Sequence, residues 1–292
     1  MYDLNLRGRP HEHMKGSEMD HGPLKLEDYQ ESCGTSAGSC GVPKHINQNR
    51  VIEKMDEYMS KRDYAGAERH LNYWLSEAQY LGDLRGELTV RNELIGHFRK
   101  TGNREKALEQ IDKALALLDK LELNGTISSG TVLVNAATAL NAFDENERSM
   151  ELFLKALKVY IGNESTDPSL LGGLYNNMAL TCCALEDYTH AKIYFREAVE
   201  KMSGVPAGEL EQAITYLNMA DCLLKDGGME QNESKIYDLL DKAEEALLRD
   251  HDAEDGYIAF VFEKCAPVFS YYGYFKTAED LKNKAEELYA RA

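Results

Sequence analysis

Residues 174–199 read LYNNMALTCCALEDYTHAKIYFREAV, and this stretch decides the fold. Its second half carries Ala191, Phe195 and Ala198 at spacings of four and three, which puts all three on one face of a helix. Small residues on that face let a neighbouring helix approach closely, and the large one fills the groove beside it. The first half carries Ala179 and, three residues on, Cys182. Glu186-Asp187 stands between the halves, and an Asp there can cap the helix that follows. The stretch therefore predicts a helix, a turn and a second helix.

Working outward, the same frame recurs in TGNREKALEQIDKALALL (101–118) and FDENERSMELFLKALKVY (143–160). Their matching triplets are Ala107/Ile111/Ala114 and Ser149/Phe153/Ala156. Further copies carry Ala67/Leu71/Trp74, Leu239/Ala243/Ala246 and the pair Ala278/Ala285. The first position of each copy falls at 67, 107, 149, 191, 239 and 278, so the interval is 40–42 except for one of 48 and one of 39. The polar insertion Asp226–Glu233 accounts for the long interval. A preceding helix has its own small landmark at Ala137, Ala179, Ala220 and Ala266, followed three residues later by Leu140, Cys182, Leu223 and Phe269. Self-similarity at a fixed period of this size is the mark of a stacked repeat.

The pattern resembles the tetratricopeptide repeat. Tyr175, Met178, Ala179, Ala191, Phe195 and Ala198 fall where that family places its aromatic, apolar and small landmarks. The period exceeds the usual 34 residues and is similar to the long-helix variety found in kinesin light chains and bacterial peptide-sensing regulators. The resemblance spans roughly residues 47–292 and is fullest in the third to fifth repeats. Met55 and Lys282 depart from it in the first and last, where one face meets water. It implies an all-α protein, an α-solenoid in a right-handed superhelix of about six TPR-like hairpins. The first helix of each hairpin would line a concave, peptide-binding groove. Asn135, Asn177 and Asn218 stand at equivalent places, two residues before the small landmark. The resemblance implies that they grip the backbone of an extended peptide, since an amide both donates and accepts. Thr131, Thr138, Asp221, Glu93, Lys100 and Lys225 add polar and charged positions to that wall. The residues alone leave a second reading open, in which these asparagines bond the neighbouring helix and set the stacking.

Composition narrows the function. Asp and Glu outnumber Lys and Arg by 50 to 33, a net charge of −17, which repels nucleic acid and anionic membranes. Such a field favours partners with basic segments, or serves only to keep the chain soluble. No run reaches the ~20 apolar residues of a membrane span, and residues 1–10 lack the apolar centre of a signal peptide. Cys182, Cys183, Cys222 and Cys265 sit inside amphipathic patterns as small core residues, which points to a reducing, cytoplasmic compartment. Neighbouring cysteines on a helix point about a hundred degrees apart, so Cys182-Cys183 is not read as a disulfide.

No Walker sequence, GxGxxG or Gly-x-Ser-x-Gly occurs, and TISSGT (126–131) reads as a linker and helix cap. The chain is expected to be no enzyme and to need no cofactor. Residues 1–46 lack helical periodicity and read as a flexible tail, with the repeat domain over 47–292. His11, His13, His21, Cys33 and Cys40 in the tail are candidate metal ligands, but their spacing matches no recognised site. The expected function is a scaffold or regulator that holds a partner protein or peptide. The alternatives are a metal-handling or maturation adaptor using the tail, and a sensor of a short signalling peptide.

Overall fold

The computed structural model describes residues 45–61 and 63–291; the tail's candidate ligands His11, His13, His21, Cys33 and Cys40 lie outside them. All regular structure among the described residues is helical, as the periodicity predicts. The helices pair in sequence as hairpins. They are α1 (Gln48–Ser60) with α2 (Tyr64–Leu81), α3 (Leu84–Lys100) with α4 (Arg104–Lys120), and α5 (Ile127–Ala142) with α6 (Asn146–Ile161). Next come α7 (Pro168–Ala184) with α8 (Tyr188–Met202), α9 (Gly208–Lys225) with α10 (Gly228–Leu247), and α11 (Asp255–Tyr271) with α12 (Phe275–Tyr289). They form two units, α1–α6 within residues 45–164 and α7–α12 within residues 165–291.

Turn chemistry sets the hairpins. Gly102, Asp144, Glu186 and Gly273 all adopt positive φ in the turn before a second helix. Asn103 and Asp187 then cap α4 and α8 through their side chains. The turn at 145–146 departs from the capping seen at Asn103 and Asp187. Glu145 makes no capping bond, and Asn146 lies one residue into α6, where its side-chain oxygen accepts from Asn141 at 2.9 Å. Asp83 does more than cap α3. It accepts from Gly86 N–H at 3.0 Å and from Ile46 N–H at 3.0 Å, which fastens the start of the described chain to the second hairpin.

The small–large–small landmarks are the core. In the first unit Ala67, Leu71, Ala107, Ile111, Ala114, Ser149, Phe153 and Ala156 are fully buried, and in the second Ala191, Phe195 and Ala198 are as well. Ser149 Oγ donates to the Ala137 carbonyl at 2.8 Å, so the two small landmarks of one hairpin meet directly. Seven residues before the first-helix landmark stand Gly130 in α5 and Gly172 in α7. A Cβ on Gly130 would lie 2.3 Å from the Tyr160 ring, and one on Gly172 would lie 2.8 Å from Met202. Each glycine thus admits a large side chain from the end of its partner helix. In the last hairpin Leu281 is buried beside exposed Lys282. Beyond the turn at Asp226-Gly227, the insertion Asp226–Glu233 is helical. It starts α10 early and makes it 20 residues long, with Asn232 bonding the Leu223 and Asp226 carbonyls, each at 2.9 Å.

Candidate partner-binding surfaces

Polar rungs join successive hairpins. In the first unit Thr89 Oγ1 donates to Gln48 at 3.0 Å, and Asn135 Nδ2 donates to Asn92 Oδ1 at 3.1 Å. In the second, Asn218 Nδ2 donates to Asn176 Oδ1, again at 3.1 Å. Two of the three wall asparagines therefore spend an amide donor on a neighbouring first helix. Asn218 keeps only 4% of its surface. Their partners Asn92 and Asn176 went unnoticed in sequence, although each lies 42–43 residues before the asparagine it bonds.

The remaining wall positions are less enclosed. Glu93, Thr131 and Asn135 of the first unit are partly exposed, as is Asn177 of the second. Thr131 Oγ1 lies 3.3 Å from the Tyr160 hydroxyl, while Thr138 is buried and donates to the Val134 carbonyl at 2.8 Å. Lys100 reaches Met59 Sδ at 3.7 Å. Asp221 and Lys225 pair at 3.0 Å on the last turn of α9. Burial works to lower the Lys225 pKa, but the hydrogen bond and charge of Asp221 outweigh it and raise the value.

A cleft of about 300 Å3 opens between α2 and α4, a surface that sequence reasoning passed over. Glu68, Asn72, Leu75 and Gln79 form its α2 wall, and Lys106, Glu109, Gln110 and Lys113 its α4 wall. Arg91 and Phe98 of α3 complete it. Spacings of three and four bring each wall onto one helical face. Arg91 is buried and fully engaged, with Nε 2.9 Å from Glu87 Oε1 and Nη1 2.5 Å from Gln110 Oε1. Lys106 crosses from α4 to Glu68 at 2.6 Å and lies over the Phe98 ring. That hydrogen bond holds the Glu68 carboxyl below the usual carboxylate range. His97 is buried beside this pair, its Nε2 3.8 Å from Glu68, and burial pushes its pKa down.

The lining contains carboxamides, paired charges and two apolar side chains, and no Ser, Thr or Cys nucleophile. Such a surface can hydrogen-bond peptide groups. Among the described residues no group of three or more His, Cys, Asp or Glu is arranged to hold a metal, and no helix is long and apolar enough to cross a membrane.

Paired helices with interlocking small and large landmarks define the tetratricopeptide-repeat fold class. The structure is similar to that of BtubC (BKLC) from P. vanneervenii, with a TM-score of 0.50 and 20% identity, over 79% of this chain and 91% of that one. It is also similar to a single-substitution form of a Podosopora anserina kinesin light chain candidate with nearly identical TPR-like repeats. There the TM-score is 0.50 and the identity 16%, over 70% of this chain and 95% of that one. These likenesses are of fold. No protein-family model matches the sequence, and no curated protein matches it.

Proposed function

We propose that this chain holds a partner protein or peptide, and that in the first unit a short extended segment of the partner lies in the cleft between α2 and α4. The cleft itself carries this reading: three helices converge on about 300 Å3 of space lined by Asn72, Gln79 and Gln110 beside Phe98 and Leu75. Each carboxamide already makes one bond: Asn72 Nδ2 donates to the Glu68 carbonyl at 2.8 Å, Gln79 Nε2 donates to Glu87 at 3.2 Å, and Gln110 Oε1 accepts from Arg91. The remaining donor and acceptor capacity of the three can meet a peptide backbone whatever its side chains. The net charge of −17 favours basic flanking segments on the partner. The four described cysteines are free thiols, which suits a cytoplasmic setting. The role is one of binding without catalysis.

A second reading puts the contact on a first-helix wall within one unit, favoured by the partial exposure of Glu93, Thr131 and Asn135 in the first and, separately, of Asn177 in the second. The test starts from peptides selected on the full chain from a random display library. Asn72 is exposed at the cleft, so Asn72→Phe fills the space without touching the core. We expect Asn72→Phe to weaken binding by at least about tenfold, or ~1.4 kcal/mol, with Glu93→Ala and Asn177→Ala near wild type. Unchanged affinity in Asn72→Phe with loss in the other two would overturn the cleft and move the contact to the wall.

A further inference from the structure

The net charge is unevenly spread along the chain. Residues 165–292 hold 24 Asp and Glu against 12 Lys and Arg, whereas residues 45–164 hold 19 against 16. Most of the excess negative charge therefore belongs to the second unit. In both units one stripe of a second helix carries the hairpin that follows it, at positions −3, +1, +5 and +8 from the small landmark. At −3, Arg104 of α4 bonds Glu145 in the next turn. At +1, Glu68 of α2 receives Lys106 of α4 at 2.6 Å, and Lys192 of α8 reaches Asp226 at 2.5 Å. At +5, Asp112 of α4 receives Arg148 of α6. At +8, the Val199 carbonyl of α8 accepts from Gln212 of α9 at 2.9 Å. Counted from Ala278, the same positions in α12 are Phe275, Glu279, Asn283 and Glu286. Steps of four, four and three keep them on one helical face. All four are exposed, Phe275 by 69%.

We propose that this stripe of α12 docks a helix of a partner protein rich in lysine and arginine, a contact separate from the cleft of the first unit. Carboxylates at this register already receive cations from the incoming helix, as Glu68 does from Lys106 and Asp112 from Arg148. Neither Glu279 nor Glu286 has an ion pair among the described residues. The two stand seven residues apart, which is two helical turns, so cations at the same interval on a docked helix meet both. Between them and the turn, the Phe275 ring offers apolar surface for the stem of a lysine or an apolar neighbour. A second copy of this chain set two-fold on the stripe would bring four carboxylates together, and like charges oppose that pairing. The excess negative charge of the second unit steers a basic partner toward it.

The test uses the full chain and a fluorescent synthetic helix of leucine and lysine, in about 0.15 M salt. Carbodiimide coupling joins a lysine amine to a carboxylate in contact with it, so digestion and mass spectrometry locate the helix on the wild-type chain. Glu279 and Glu286 are the expected cross-linked residues. Anisotropy titration should show affinity falling at least about tenfold in the Glu279→Lys, Glu286→Lys variant, with a loss in Phe275→Ala as well. Glu230→Lys with Glu233→Lys changes the net charge equally at exposed positions on α10 and should cost far less. Three results would each overturn the stripe as the docking site. The peptide fails to bind; cross-links scatter over residues 165–292 and the two double variants lose affinity equally; or sedimentation shows a wild-type dimer that Phe275→Ala dissociates, which gives the stripe to a second copy.

Discussion

At the scale of single residues, the asparagines are the clearest case of a position with two readings. Asn218 is buried and its amide donates to Asn176, so Asn218→Ala strands a buried acceptor and opens a small void. The expected cost is about 1–3 kcal/mol, measured by urea denaturation, with the partner affinity of the folded chain unchanged. Glu186 illustrates backbone strain. It sits at φ 58 in the turn before α8, and its side chain is exposed. Glycine reaches this conformation without a Cβ clash, so Glu186→Gly should stabilise by about 0.5–1 kcal/mol after the entropy of the unfolded glycine is counted. A lower denaturation midpoint would show that the turn gains nothing from glycine.

His97 ties stability to pH. Burial lowers its pKa from the ordinary value of 6.5, and the same cause acts on His70. Below 6.5 the unfolded chain takes up protons that the folded chain resists. Stability is therefore full above that pH and falls as pH drops toward the depressed folded values. Denaturation at about pH 7.5 and 5.5 should show this loss, and it should shrink in the His70→Gln, His97→Gln double variant. An equal loss in that variant would assign the pH dependence to the carboxylates.

At the scale of elements, hairpin geometry rests on the contact between a glycine in the first helix and a large side chain ending the second. Gly130→Ala would put a Cβ 2.3 Å from Tyr160, a ring buried at 2% exposure with little room to retreat. The expected cost is about 1–3 kcal/mol, and it should fall sharply when Tyr160 is also changed to Leu. Additive losses in the double variant would mean that the ring is not what the new methyl group meets. The insertion at 226–233 teaches a related lesson. Its Gly and polar residues read as a break in the repeat, but Asn232 gathers the carbonyls of Leu223 and Asp226 and lets α10 begin there.

At the scale of the whole molecule, the repeat frame begins with an anchor. Ile46 is buried and its N–H donates to Asp83, and Asn47 caps α1. Deleting residues 1–44 should therefore leave the helical circular dichroism and the melting temperature near those of the full chain. Deleting residues 1–47 should lower the melting temperature, because Asp83 and α1 then lose their partners. A collapse on the shorter deletion would place part of the folded unit within residues 1–44.

The sequence by itself determined the helices, their pairing and most of the core. Ala107, Ile111, Ala114, Phe153 and Phe195 declare their shared faces through spacings of three and four within one helix, a local signal. Tertiary structure decided what the polar residues do. Asn135 meets Asn92, Lys106 meets Glu68, and Arg91 meets Gln110. Each of these contacts joins different helices, and most join different hairpins. Whether such residues face a partner, a cleft or each other depends on how one helix crosses the next. That angle is set by the packing of many side chains together, so no local spacing encodes it.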